Sequence, residues 1–109
     1  MIDGLIGGKI YGKAIQRTGN SGKPFTTAKV RVAAGDGDTL FVNVIAFAAN
    51  VGDALLALDD GDSVSLSGAM TPKVWTNKAG EVKPSLDMVA HAITTPYHVT
   101  RKRAAMAVV

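Results

Sequence analysis

Clusters of turn-forming residues divide this chain at short intervals, and they exclude a fold built from long helices. Gly, Asn, Asp and Pro gather at residues 19–24, 35–38, 59–62 and 77–80. Most segments between these clusters alternate apolar and polar residues with a period of two, which is typical of strands that bury one face. The sequence therefore predicts an all-β domain of short antiparallel strands.

The alternation also indicates how the sheet is shaped. In residues 25–32 the even positions hold small or apolar side chains, and the odd positions hold Phe25, Thr27, Lys29 and Arg31. In residues 5–15 glycine alternates with isoleucine on one face, and such glycines mark tight curvature or close backbone approach, as in a closed barrel. Further strands are predicted at residues 40–47, 63–70 and 85–93, with an extended pair flanking residues 77–80.

Residues 48–58 are predicted to form the one helix. They are rich in Ala and Leu, and Gly61 can adopt the left-handed conformation that stops a helix. Five strands with a helix between strands 3 and 4 is the order of the OB-fold barrel, whose face and loops bind oligonucleotides or oligosaccharides. We therefore predict a five-stranded OB-fold barrel over residues 1–96, followed by a basic and apolar C-terminal arm over residues 97–109.

Several functional classes lack the residues that they need. The chain has no cysteine, and His91 and His98 fall on opposite faces of a continuous strand, so neither a metal nor a cofactor is predicted. No constellation of nucleophilic and titrating groups indicates an enzyme. No apolar stretch reaches the ~20 residues that span a bilayer, and the first residues do not resemble a secretory signal. We therefore predict a cytoplasmic protein without a membrane partner.

The net charge of +3 is distributed unevenly along the chain. Residues 1–31 carry a net charge of +5, residues 32–72 carry −6, and residues 73–109 carry +4. A folded chain of this kind can present one basic and one acidic side. This asymmetry favours a polyanionic partner.

Most aromatic residues lie among basic ones, as in proteins that bind single strands of nucleic acid without sequence preference. Such proteins combine a positive groove with aromatic rings on which bases stack. Trp75 lies in a polar segment and is therefore expected to be exposed. The predicted clusters are Tyr11 with Lys9 and Lys13, Phe25 with Lys29 and Arg31, and Trp75 with Lys73, Lys78 and Lys83.

Residues 41–80 contain an ordered set of motifs. A hydrophobic strand starts at Phe41 and ends in Phe47, a helix follows, Gly61 and Gly68 bracket an alternating strand, and Trp75 stands in a basic hairpin. This order resembles the bacterial single-stranded DNA-binding protein family, over about residues 4–94. The resemblance implies non-enzymatic protection of single-stranded DNA in replication, recombination and repair, and a homotetramer often formed through the first strand. The base-stacking residues that it implies are Phe41, Phe47 and Trp75, with Lys73 and Lys78 at the phosphates.

The chain also departs from the family pattern. Residues 33–38 form a short loop without an aromatic residue, and Asp59 and Asp60 stand where the family often has basic residues. The family's acidic C-terminal tip is missing, so recruitment of proteins through such a tail is not expected. We therefore expect a short version encoded by a bacterium, a phage or a mobile element. Two alternatives are a dimeric primosome-type accessory protein and a protein-interaction OB domain that uses acidic residues 36–62.

Overall fold

The computed structural model describes residues 2–33, 35, 37 and 39–95, and over these residues the chain forms a closed β-barrel with one helix. The six strands form one sheet in the order β1-β5-β6-β4-β3-β2, and a further pairing of β1 with β3 closes it. The predicted all-β OB-fold barrel is confirmed, whereas the predicted arm at residues 97–109 lies outside the described residues. The elements are β1 (Ile2–Ile10), β2 (Ile15–Thr18), β3 (Pro24–Ala33), β4 (Thr39–Ala46), α1 (Ala49–Ala57), β5 (Ser63–Thr76) and β6 (Val82–Thr94).

The first predicted strand is divided in two, so the structure has six strands where five were expected. Residues 11–14 leave the sheet, and Gly12 adopts a φ of 76°. The break separates the partners of the two parts, because β1 pairs mainly with β5 and β2 pairs with β3. Counted as one divided strand, β1 and β2 restore the expected order, with α1 between the third and fourth strands.

The barrel closes where Lys9 and Ile10 of β1 pair with Arg31 and Val30 of β3. Gly8 permits this approach, because a Cβ atom at that position would collide with the carbonyl oxygen of Arg31. The predicted role of glycine at the closure of the sheet is thus confirmed in β1.

The inner faces of the strands and one face of α1 form a single apolar core. The alternation predicted for residues 25–32 is confirmed, because the side chain of Val30 is fully buried while Lys29 and Arg31 are exposed. Burial of a side chain such as Leu55 stabilises the fold by about 1.5–3 kcal/mol. The largest fully buried side chains are Ile10, Leu55, Leu66, Met88, Val30, Val42 and Val51.

The helix ends at Ala57, before the glycine that was predicted to stop it. Leu58 is already extended, with φ −87° and ψ 150°, and its side chain is buried. Gly61 does adopt a φ of 89°, but it does so in the following turn, where its N–H donates to the Ile10 carbonyl oxygen at 2.8 Å. Gly61 therefore directs the chain into β5 rather than capping α1.

Strands β5 and β6 extend beyond the barrel, because each continues without a break into the extended pair predicted to flank residues 77–80. The pairing of β1 with β5 ends at Met70, and the pairing of β4 with β6 begins at Leu86. Residues 71–85 therefore form a two-stranded projection, which we call the hairpin arm, and the predicted turn at residues 77–80 lies at its end. Among the described residues, no helix has the length and apolar character needed to cross a membrane.

Candidate nucleic-acid interface

One outer face of the barrel carries an open groove of about 820 Å³. Strand register decides which side chains meet there. Lys29, Asn43, Asp87 and Thr71 lie opposite one another on β3, β4, β6 and β5, and so form a polar row across the sheet. The adjacent row is mainly apolar and consists of Ile15, Thr27, Ile45, Val89 and Ala69.

An aromatic pair with two neighbouring cationic side chains lies at one end of the groove. The ring centroids of Tyr11 and Phe41 are 5.2 Å apart in an edge-to-face arrangement. The Lys29 ammonium lies 5.8 Å from the Phe41 centroid, and the Arg31 guanidinium carbon lies 5.9 Å from the Tyr11 centroid. Cations at this range are attracted to the ring faces, which orients them beside the rings. Lys9, opposite Arg31 in the barrel closure, adds a third exposed cation nearby.

A second aromatic pair lies at the other end of the same face. The ring centroids of Phe25 and Phe47 are 6.1 Å apart. Phe47 is 62% exposed, whereas Phe25 is half-buried. Arg17 lies opposite Phe25 in the register of β2 and β3, and Lys23 borders a smaller depression of about 280 Å³ beside this pair.

The hairpin arm carries the predicted tryptophan cluster. Trp75 is 51% exposed, as expected from its sequence context, and lies opposite Lys83 in the strand register. Strand alternation places Lys73 on the same side of β5 as Trp75. The Lys83 ammonium lies 3.1 Å from a Glu81 carboxylate oxygen, and Lys78 is exposed in the terminal turn.

Lys13 has a different environment from the one that the sequence predicted. Its ammonium donates to the carbonyl oxygens of Leu56 and Leu58, at 3.0 and 2.9 Å, and to a carboxylate oxygen of Asp59 at 3.2 Å. A cation at this position satisfies carbonyl groups that the end of a helix leaves unpaired. These hydrogen bonds give Lys13 a structural role at the end of α1, and its predicted contact with phosphate is tested by substitution below. Lys13 also borders the groove.

Acidic side chains after α1 also have a structural role, because they accept hydrogen bonds from backbone N–H groups. The Gly12 N–H donates to an Asp60 carboxylate oxygen at 2.7 Å, and the Asp59 N–H donates to an Asp62 carboxylate oxygen at 2.8 Å. The first bond holds the break between β1 and β2 against the turn that precedes β5, and the second stabilises that turn. Within residues 2–33, 35, 37 and 39–95, no group of three His, Asp or Glu side chains is placed to hold a metal ion.

The structure brings together part of the predicted site and adds to it. Tyr11, Lys29, Arg31 and Phe41 form one cluster with Lys9 nearby, and Phe47 lies at the opposite end of the face. Lys13 lies at the end of α1. The arm carries Lys73, Trp75, Lys78 and Lys83. Arg17 was absent from the predicted set. Phe25, which the sequence grouped with Lys29 and Arg31, pairs with Phe47 in the structure. Asn43 and Asp87 gave no sequence signal, because neither residue is basic or aromatic.

The fold and this groove define a class, that of OB-fold barrels with an aromatic and basic outer face. The chain is similar to a small single-stranded DNA-binding protein from Streptomyces coelicolor, with 22% identity over 86% of this chain and 93% of that chain and a TM-score of 0.67. It is also similar to a mitochondrial single-stranded DNA-binding protein from S. cerevisiae, with 16% identity over 87% and 94% of the two chains and a TM-score of 0.64. At these identities the likeness establishes a shared fold, so the predicted resemblance is confirmed at that level.

No protein-family model matches the sequence, and no curated protein matches it.

Proposed function

We propose that this chain binds single-stranded DNA and thereby protects it during replication, recombination or repair in the cytoplasm, without catalysing a reaction. The observation that carries the proposal is the presence of two aromatic pairs with cations beside them, Tyr11 with Phe41 at the groove and Phe25 with Phe47 at the smaller depression. Exposed rings offer stacking surfaces that any base can use, and adjacent cations neutralise phosphates. The single-stranded DNA-binding proteins that share this fold support the same conclusion.

The roles of the residues follow from their positions. Phe41 with Tyr11, and Phe47 with Phe25, provide stacking surfaces on the barrel. Trp75 provides a third surface on the hairpin arm. The cations that would contact phosphates are Lys9, Arg17, Lys29, Arg31, Lys73, Lys78 and Lys83.

Titration with oligomers of dT and rU tests this proposal directly. Trp75 is the only tryptophan in the chain, so any change in tryptophan emission reports on the hairpin arm. We expect dT oligomers to quench this emission, and we expect the affinity to fall linearly with the logarithm of salt concentration as counterions are released. If low salt retains no oligonucleotide and leaves the emission unchanged, the proposal fails and the protein-interaction alternative remains.

A matched pair of lysine variants separates phosphate contact from structural support. Among the described residues Lys29 forms no ion pair, whereas the Lys13 ammonium donates three hydrogen bonds, to carbonyl oxygens at the end of α1 and to Asp59. The quantity to compare is the slope of the logarithm of the binding constant against the logarithm of salt concentration. We expect Lys29→Met to reduce the magnitude of this slope by about one, and Lys13→Met to leave it unchanged. Equal slopes for Lys29→Met and the wild type would contradict the phosphate contact.

We also propose that the chain forms a homo-oligomer through the free edge of β1. Strand β1 pairs with β5 along one edge, whereas on its other edge only Lys9 and Ile10 have a partner among the described residues. Leu5 is 73% exposed and Ile2 is 52% exposed on this strand. An open edge with exposed apolar side chains favours pairing with another strand, and a second copy of β1 supplies one.

Light scattering tests this assembly. We expect a tetramer for the wild type and a smaller species for Leu5→Lys, because a buried lysine without a partner would destabilise the interface. A wild-type dimer would instead favour the primosome-type alternative. A wild-type monomer would contradict the proposed assembly.

A further inference from the structure

We propose that Asn43 and Asp87 form a base-reading pair that makes the groove prefer guanine over thymine, an inference that rests on the single-stranded DNA binding proposed above. The two residues are 44 positions apart, and the parallel pairing of β4 with β6 places them side by side. The Asn43 side-chain nitrogen donates to a carboxylate oxygen of Asp87 at 3.2 Å. Both side chains line the groove.

The pair lies where an edge of a stacked base would reach it. Asn43 follows Phe41 by two residues on the same face of β4, which corresponds to about 6.6 Å along a strand. Lys29 flanks Asn43 on β3, and Thr71 flanks Asp87 on β5. A base stacked on Phe41 therefore presents its hydrogen-bonding edge towards the polar row.

Asp87 carries a charge that does not suit a phosphate-binding surface. Among the described residues, no lysine or arginine lies within ion-pair distance of its carboxylate. The carboxylate therefore repels phosphate and attracts N–H groups. A strand in the groove lowers its electrostatic energy by turning a base edge towards Asp87 and its phosphates towards the cations.

The chemistry of the base edges selects guanine. A carboxylate only accepts hydrogen bonds, and guanine presents two adjacent N–H donors, at N1 and N2, that match its two oxygens. Thymine presents one N–H between two carbonyl oxygens, which the carboxylate repels. Adenine and cytosine each present one amino group beside a ring nitrogen that is an acceptor. The second amide hydrogen of Asn43 is able to donate to O6 of guanine, which extends the match.

Three oligonucleotides of about 12 nucleotides test this inference. One contains thymine alone, the second has isolated guanines at every third position, and the third has inosine in place of each guanine. Inosine retains the N1 donor and lacks the N2 amino group. We expect the wild type to bind the guanine oligonucleotide about tenfold more tightly than the thymine oligonucleotide, with the inosine oligonucleotide in between.

Asp87→Asn provides the test within the protein, because it removes the charge and one acceptor while keeping the shape. We expect this variant to lose the preference for guanine and to bind the thymine oligonucleotide more tightly than the wild type does. Asp3→Asn removes the same charge from a residue that does not line the groove, and it should retain the preference.

The outcomes separate this inference from the function on which it rests. If the wild type binds all three oligonucleotides with equal affinity, the base-reading pair is wrong and single-stranded DNA binding stands. If it binds none of them at low salt, the proposed function is wrong and the base-reading pair fails with it. If Asp87→Asn does not fold, the comparison of guanine with inosine on the wild type still tests the pair, because both bases stack as purines and differ only in the N2 amino group. Equal affinity for these two oligonucleotides would contradict the pair.

Discussion

Replacing Phe47 and Trp75 together with alanine should weaken binding of single-stranded DNA by about 30-fold or more, because each base stacked on an aromatic ring contributes about 1–3 kcal/mol. Both side chains are more than half exposed, at 62% and 51%, so their removal leaves the core intact. The double variant should therefore unfold at the same temperature as the wild type. Anisotropy of a labelled dT oligonucleotide measures the affinity, since the variant has no tryptophan.

The hairpin arm supplies a matched control for this experiment. Val74 and Val82 are 73% and 65% exposed. Strand alternation places Val74 on the opposite side of β5 from Trp75. Replacing both valines with alanine removes exposed apolar surface without removing a ring, so the affinity should stay within about twofold of the wild type, as for surface substitutions in general. A comparable loss in both double variants would indicate that general apolar surface, rather than base stacking, drives binding.

Substituting Gly68 with alanine should have the largest effect on stability, lowering the free energy of unfolding by at least about 4 kcal/mol. Gly68 lies at the irregularity in the pairing of β5 with β6. A Cβ atom there would collide with the carbonyl oxygen of Val89, and it would lie 3.0 Å from the Ala90 Cα atom. These are backbone atoms of a central strand, so the clash is relieved only by separating the two strands.

Thermal unfolding followed by circular dichroism measures this effect. A small domain loses about 4–8 °C in Tm per kcal/mol, so the Tm of Gly68→Ala should fall by at least about 15 °C. Gly7→Ala is the control, because its Cβ would meet only the Ser65 hydroxyl oxygen at 3.7 Å, an ordinary contact. Its Tm should remain close to that of the wild type. A Gly68→Ala variant with an unchanged Tm would contradict the close approach of β5 and β6.

Local patterns in the sequence predicted much of the fold. The alternation around Val30 identified both faces of β3, and the apolar run before Gly61 identified the helix. They placed the end of the helix within one residue but assigned the stop to Gly61, which lies in the following turn. They did not predict the break after Ile10, because it depends on partners distant in the chain. The break is held by Asp60, which accepts a hydrogen bond from Gly12 across 48 positions.

The candidate site was predicted to a similar extent. The alternation of side chains along β3 placed Lys29 and Arg31 on one face, and the polar residues around Trp75 indicated that it is exposed. The structure shows both. Alternation also grouped Lys13 with Lys9 and Tyr11 on the outer face of the first strand, but its ammonium is hydrogen-bonded to the end of α1. A pattern of charge along one strand cannot reveal which cations form hydrogen bonds with elements distant in the sequence.

The sequence by itself determined which side chains share a face, because a strand alternates its side chains with a fixed period and a turn cluster marks its ends. Only the tertiary structure decided which faces meet. The edge-to-face contact of Tyr11 with Phe41 and the hydrogen bond between Asn43 and Asp87 depend on the register of strands that are distant in sequence. That register is set by packing of the whole core, and a shift of one residue would turn every groove residue of a strand to the opposite face.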